Sequence, residues 1–163
     1  MKVAVLIGSD SDFEMAQESL KILKAFNLPF FLEVTSAHRT PRRTLKLIKD
    51  FEERGVEVFI AMAGKSAHLA GFIAAHTTKP VIGVPIAGQT LGGLDSLLST
   101  VQMPKGVPVA TVGLGKSGAA NAALLAVQIL ALKDESLAKK LYDYRQKMVL
   151  EVERKSKNIV DKL

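Results

Sequence analysis

The chain has 163 residues, 48% of them apolar, and 22 Lys and Arg set against 16 Asp and Glu give a formal charge of +6. That length and apolar share suffice for one domain with a proper core and exclude a disordered chain. The absence of Cys excludes a disulfide framework, a thiolate nucleophile and a zinc–thiolate site.

The first element is "VAVLI" (Val3 to Ile7), a short apolar run that reads as a buried parallel strand. "GSDSD" (Gly8 to Asp12) follows, and then apolar residues at helical spacing, Met15, Leu20, Leu23 and Phe26, predict a helix over Phe13 to Phe26. Asn27-Leu28-Pro29 stops it. "FFLEV" (Phe30 to Val34) is the second strand and "SAHRTP" (Ser36 to Pro41) the loop after it, with Thr40 as an expected N-cap and Pro41 in the first turn of a helix running to Arg54. "VFIAMA" (Val58 to Ala63) is the third strand. "AGKSAH" (Ala63 to His68) leads into a helix over Leu69 to His76, and "VIGV" (Val81 to Val84) and "VATV" (Val109 to Val112) complete five strands. "SGAANAALLAVQILAL" is apolar on nearly every side, which suits a helix buried from two directions. Glu135 to Lys162 carries a narrow apolar stripe among alternating charges and predicts one long helix of about 42 Å. Such a helix either reaches another subunit or packs along its own domain.

Strands alternating with helices predict an α/β class, a three-layer αβα sandwich around a flavodoxin-like parallel sheet of order 2-1-3-4-5, closed by a long C-terminal helix. One domain is expected over 1–163, with a core over 1–133 and a helical extension over 134–163. The opening apolar run is too short for a signal-peptide core, and no later stretch spans a bilayer without charge or Gly. A cytoplasmic protein with no membrane partner is expected. Much of the positive excess lies in the last helix and stacking aromatics are few, with no Trp and two Tyr, so no nucleic-acid partner is expected. A small anionic ligand fits.

In an open parallel sheet, ligands bind outside the carboxyl ends of the strands, where the strand order reverses. The loops after the first three strands all fall on that rim. In the first, Gly8 admits a ligand to the backbone, Ser9 and Ser11 offer hydroxyls, and the helix start suits phosphate. Asp12 either caps that helix or accepts hydrogen bonds from sugar hydroxyls. In the second, Ser36, His38 and Arg39 are not needed for a turn. Arg39 near a helix start points to an anion held by its guanidinium fork, and His38 beside it is the candidate general acid and base. In the third, the small Ala63 and Gly64 admit a flat ligand and expose backbone N–H groups to a carboxylate. His68 either faces the ligand or caps and packs; His76 reads as structural. No His, Asp or Glu cluster has metal-ligand spacing, so no metal is expected.

"GSDSD", "SAHRTP", "AGKSAHLAGFIAAHT", "PVIGVP", "LGGLDSLLSTVQMPKGVPVAT" and "NAALLAVQIL", in this order from about Val3 to Leu132, resemble the N5-carboxyaminoimidazole ribonucleotide (N5-CAIR) mutases of purine biosynthesis. That family is also called the catalytic subunit of phosphoribosylaminoimidazole carboxylase. The resemblance implies an isomerase that converts N5-CAIR to 4-carboxy-5-aminoimidazole ribonucleotide without metal or other cofactor. It also implies a homo-octamer with sites completed by neighbouring subunits, and functional coupling to N5-CAIR synthetase. It puts substrate binding on Ser9, Asp12 and Arg39, with proton transfer on His38 and further contacts at Ser36, Ala63, Gly64, Lys65, Ser66 and His68. The segment from "LGGLD" to "QMP" is implied to close over the ligand. Lys65, Ser66 and Ala70 depart from the usual "AGGAAHLPG" toward the class that carboxylates aminoimidazole ribonucleotide (AIR) directly, whereas "SAHRTP" and His68 keep the mutase form. A response-regulator-like switch would need an acidic phosphoacceptor where Ala63-Gly64 stands. A non-catalytic flavin or nucleotide module would leave His38 unexplained.

Overall fold

The computed structural model describes residues 1–88 and 91–161. Five strands, β1 (Lys2–Ile7), β2 (Phe30–Val34), β3 (Val56–Gly64), β4 (Val81–Ile86) and β5 (Ala110–Thr111), form one sheet of order β2-β1-β3-β4-β5. Every pairing in it is parallel. This is the expected topology. The helices are α1 (Phe13–Ala25), α2 (Pro41–Glu53), α3 (Leu69–Ala74), α4 (Leu94–Val101), α5 (Gly115–Ala131) and α6 (Glu135–Val160), and Asp10–Asp12 forms a 3-10 turn ahead of α1.

Alternation along the central strands sorts the core into two faces. Ala4 and Leu6 of β1 and Phe59 and Ala61 of β3 point to the side where Ile48 and Phe51 of α2 and Leu69, Ala70 and Ile73 of α3 pack. Val3, Val5 and Ile7 with Val58, Ile60 and Met62, all at most 1% exposed, fill the opposite side. There α1 and α5 are tied by the Ser19 hydroxyl donating to the Ala119 carbonyl. Central strands buried on both faces account for the unbroken apolar runs. On α5 the buried residues of the first unit are the small Gly118, Ala119, Ala122, Ala123 and Ala126, a helical stripe that lets the backbone approach closely.

Two elements differ from expectation. α4 is a helix that the apolar pattern does not predict, because its polar residues face inward. Ser96 and Thr100 are buried while Leu94, Leu98 and Val101 are exposed. The buried hydroxyls are satisfied by carbonyls, Ser96 donating to Ile86 and Gly93 at 2.9 Å each and Thr100 to Ser96 at 2.7 Å. β5 is shorter than the predicted run, two residues on the sheet edge.

The chain divides into two compact units, Met1–Ala126 and Val127–Leu163. In the second, Asp134 caps α6 by accepting from the Leu137 N–H at 2.9 Å. α6 has 26 residues, about 39 Å of helix; the expected end at Lys162 lies outside the described residues. Among the described residues no helix is long and apolar enough to cross a membrane.

Candidate active site

The three rim loops meet in one cleft of about 650 Å³ at the carboxyl ends of β1, β2 and β3. The ten site residues that the resemblance implies line it, together with Gly8 and Ser11 of the first loop: Ser9 and Asp12 from that loop; Ser36, His38 and Arg39 from the second; Ala63, Gly64, Lys65, Ser66 and His68 from the third. Ala37 and Leu69 also line it, apolar wall positions that carry no chemical signal in a sequence. Among the described residues the lining runs from Gly8 to Leu69. His76 lies elsewhere, in the turn that follows α3, its Nδ1 2.7 Å from the Phe72 carbonyl.

The first loop is a reciprocal cap. The Ser9 N–H donates to the Asp12 carboxylate at 3.1 Å, and the Ser9 hydroxyl accepts from the Ser11 N–H at 3.4 Å. Asp12 therefore caps, but it caps the 3-10 turn; it makes no side-chain bond to the start of α1. Asp12 is only 9% exposed, and burial, opposed by the Ser9 and Ser11 hydrogen bonds, holds its carboxyl above the ordinary value. Asp10, outside the cleft lining and exposed, is held below it by the Ser9 hydroxyl and the Ser11 N–H. A Cβ added to Gly8 would meet only ordinary contacts, the nearest at 3.5 Å on Ala63 and Met62. Nothing inside the protein therefore demands glycine there, and the open side faces the cleft.

The second loop stands on a cluster of threonines. Thr35 and Thr44 are at most 3% exposed, and their hydroxyls are 2.8 Å apart. Thr40 occupies the N-cap position of α2 but does not cap it. Its hydroxyl turns back to accept from the Ser36 N–H at 3.0 Å, and its own N–H donates to the Ser36 carbonyl at 2.9 Å. The expected cap is thus replaced by a clasp that closes the turn bearing Ala37, His38 and Arg39, which Ser36 tightens by accepting the Arg39 N–H on its hydroxyl at 3.1 Å. The Arg39 guanidinium donates to the Gly8 carbonyl at 3.3 Å and forms no ion pair among the described residues. Arg43, four residues on, is paired with Glu33 at 2.7 Å. Arg39 is therefore a cation available to an anion at the cleft, beside Lys65 of the third loop.

The third loop carries Lys65 at φ +55°, a left-handed conformation that costs a residue with a Cβ about 1–2 kcal/mol. Tight hydrogen bonds follow, from the Ala67 N–H to the Lys65 carbonyl at 2.8 Å and from the His68 N–H to the Ser66 carbonyl at 2.7 Å. They deliver His68 to the head of α3, where its ring neither caps the helix nor packs into the core. Instead Nδ1 of His68 lies 2.8 Å from Nε2 of His38, with the rings edge to face at 4.9 Å. Thirty residues of sequence separation conceal this contact. Chemically, the cleft offers a pair of imidazoles, two cations and one buried carboxylate, an inventory suited to an anionic ligand and to proton transfer. Among the described residues no group of three or more metal-ligating side chains is assembled.

Comparison with known proteins extends the same picture. A family model described as AIR carboxylase matches residues 2–151. An N5-carboxyaminoimidazole ribonucleotide mutase of Pyrococcus abyssi is 53% identical over 147 residues, 90% of this chain and 83% of its own. The protein of the same name from Escherichia coli K12 is 50% identical over 151 residues, 93% of this chain and 89% of its own. The crystal structure of Treponema denticola PurE superposes with a TM-score of 0.87 at 27% identity, covering 96% of each chain. Agreement in sequence over nine-tenths of the length and in fold over nearly all of it places the chain in the AIR carboxylase family.

Proposed function

We propose that the protein is an N5-carboxyaminoimidazole ribonucleotide mutase, moving a carboxyl group from N5 to C4 of the aminoimidazole in purine biosynthesis. The observation that carries this reading is the convergence of His38, Arg39 and Ser9 on one cleft, in a chain whose relatives at about half identity bear the mutase name.

The ribose phosphate is held by Ser9, Asp12 and Arg39. The guanidinium supplies the charge, and the Asp12 oxygens left over from the Ser9 N–H accept from ribose hydroxyls. The carboxyl group lies against the backbone of Gly64 and Lys65, with Ser36, Ala63, Ser66 and His68 completing the wall. The N5–carboxyl bond breaks to give carbon dioxide and N5 takes a proton. C4 of the electron-rich ring then attacks the carbon dioxide, and His38 removes the C4 proton. Keeping the gas beside its acceptor replaces a cofactor, since confinement is worth effective molarities of up to about 10⁵ M or more in favourable intramolecular cases. The segment from Leu91 to Pro104 closes the cleft in a homo-octamer. Exposure of Leu94, Leu98 and Val101 on α4 supports that association. The enzyme is cytoplasmic and takes its unstable substrate from N5-CAIR synthetase.

The test offers the purified protein N5-CAIR without ATP or bicarbonate and, separately, AIR with carbon dioxide, and compares initial rates of C4-carboxylated product. Faster turnover of N5-CAIR is expected. Preference for AIR with carbon dioxide assigns the direct carboxylase instead. His38→Asn is expected to keep binding and lose turnover; turnover retained removes His38 from the chemistry.

A further inference from the structure

Resting on the mutase reading above, we propose that the outward face of α2 is an electrostatic guide, where Arg42, Lys46 and Lys49 draw the anionic substrate to the cleft with its phosphate leading. These residues stand one above another along the helix, opposite the buried Thr44, Ile48 and Phe51. All three are exposed. Arg43 beside them is held by Glu33 at 2.7 Å, whereas Arg42, Lys46 and Lys49 enter no ion pair among the described residues. None of them lines the cleft.

The walls of the site do not supply a long-range attraction. The cleft, with the recess and the groove beside it, brings Arg39, Arg43 and Lys65 together with Asp10, Asp12 and Glu33. With the histidines neutral, those cations and carboxylates cancel. The substrate of the mutase reaction nevertheless carries roughly two negative charges on its phosphate and about one on its carboxyl group. Arg39 binds such a ligand once it has arrived; a field that reaches into solvent needs unpaired charge beyond the lining, and the α2 row holds it.

The order of charge along α2 points the same way. Arg42, Arg43, Lys46 and Lys49 all precede Asp50, Glu52 and Glu53. The backbone dipole favours the reverse, acids in the first turn and bases in the last. α1 obeys with Glu14 and Lys24, and α6 with Glu135 and Lys157, but α2 has no acid in its first turn and no base in its last. This order costs helix stability. In return the side-chain charges and the backbone dipole add instead of cancelling, and the positive end is the head of α2.

That head opens on the site. Thr40, just ahead of α2, and Arg43 in its first turn line a recess of about 360 Å³ that shares Gly8, Ser9, Ser36 and Arg39 with the cleft. A ligand charged more heavily at its phosphate is therefore turned phosphate first toward Arg39 before any contact forms.

Initial rates on N5-CAIR test this for the parent protein, for Arg42→Gln with Lys46→Gln, and for Arg42→Glu with Lys46→Glu, at low and high salt. At about 20 mM ionic strength, where the screening length is about 20 Å, the Gln pair is expected to lower kcat/KM about 5-fold and the Glu pair about 20-fold. At about 0.5 M all three should agree within about 2-fold, and kcat should match the parent at either salt. Arg42→Lys with Lys46→Arg keeps both charges and should behave as the parent. The melting temperature of the Gln pair should hold or rise, since the substitution relieves the conflict with the dipole. Equal kcat/KM for the parent and the Gln pair at low salt, a deficit that survives at high salt, a fall in kcat or a lower melting temperature overturns the proposal. Calorimetric dissociation constants for ribose 5-phosphate repeat the comparison without catalysis. If N5-CAIR is not turned over and ribose 5-phosphate still shows the salt-dependent gap, the mutase reading falls and the guide stands; without turnover and without the gap, both fall.

Discussion

Thr100 lays its γ-methyl group where a side chain on Gly83 would have to be. A Cβ at Gly83 would overlap that methyl and come within 3.0 Å of Val109 Cγ1 and 3.2 Å of Ala70 Cβ. Glycine on β4 is what lets α4 lie against the sheet, and Thr100 cannot swing aside cheaply because its hydroxyl is bonded to the Ser96 carbonyl at 2.7 Å. Gly83→Ala is expected to lower stability by about 1–3 kcal/mol, as overpacking does. Adding Thr100→Ser, which removes the offending methyl, should recover part of the loss. Urea unfolding midpoints of the two variants decide it: no recovery in the double variant would mean that Val109 or Ala70 is the real obstacle.

Lys65 keeps a left-handed backbone although it has a Cβ. Lys65→Gly removes that strain, and the gain is expected to be at most about 1 kcal/mol because glycine also loses more chain entropy on folding. The melting temperature should rise or hold while KM for N5-CAIR increases, since the variant loses a cation from the cleft lining. A variant that is both more stable and equally tight-binding would show that the ammonium does nothing for the ligand.

Asp12 gives a pH signature with a definite sign. Its folded carboxyl lies above the ordinary value of 3.8 because burial disfavours the charged form. The native state therefore holds the proton to higher pH than the unfolded chain does. The Asp12 contribution is fully present below the ordinary value and is lost as pH rises from there through the raised native value. The stability of the parent protein relative to Asp12→Asn should decline across that window and level off beyond it. Chemical unfolding at a series of pH values measures the difference, and an opposite slope would mean that the Ser9 and Ser11 hydrogen bonds outweigh desolvation.

Thr44 is fully buried, and its hydroxyl bonds both the Thr35 hydroxyl and the Thr40 carbonyl, at 2.8 and 3.1 Å. Thr44→Val keeps the shape and removes those bonds at an expected cost of about 1–3 kcal/mol. Because the cluster carries the turn that presents His38, kcat should fall more than KM rises. Unchanged kcat in a folded variant would show that the turn holds its shape without the cluster.

What could be read from the residues alone divides along physical lines. The sheet was legible because β1, β3 and β4 are buried on both faces and so appear as unbroken apolar runs. The rim was legible because parallel strands send their following loops to the same side, which assigns Ser9, His38 and Lys65 to one rim from chain order alone. α4 was not, since its outward leucines and inward hydroxyls reverse the signal on which helix assignment depends. The threonine cluster escaped for a related reason: Thr35 and Thr44 look like ordinary strand-end and helix residues until their burial is known. Thr40 shows the limit of position-based rules, as it stands where a cap belongs and bonds backward instead. The meeting of His38 with His68 depends on how two separate turns fold toward each other, and no spacing rule encodes that.

Among the described residues the cleft lining of this chain runs no further than Leu69, so lining loops and later scaffold occupy separable stretches of the polypeptide. Under the proposed homo-octamer, a damaging substitution that maps after that point acts through sheet packing, through the closing segment or through an adjoining copy, and an added wild-type chain can compensate for it only where another copy is involved. Mixed assemblies of differently mutated chains would thus sort the two kinds of defect genetically, without a ligand-bound structure.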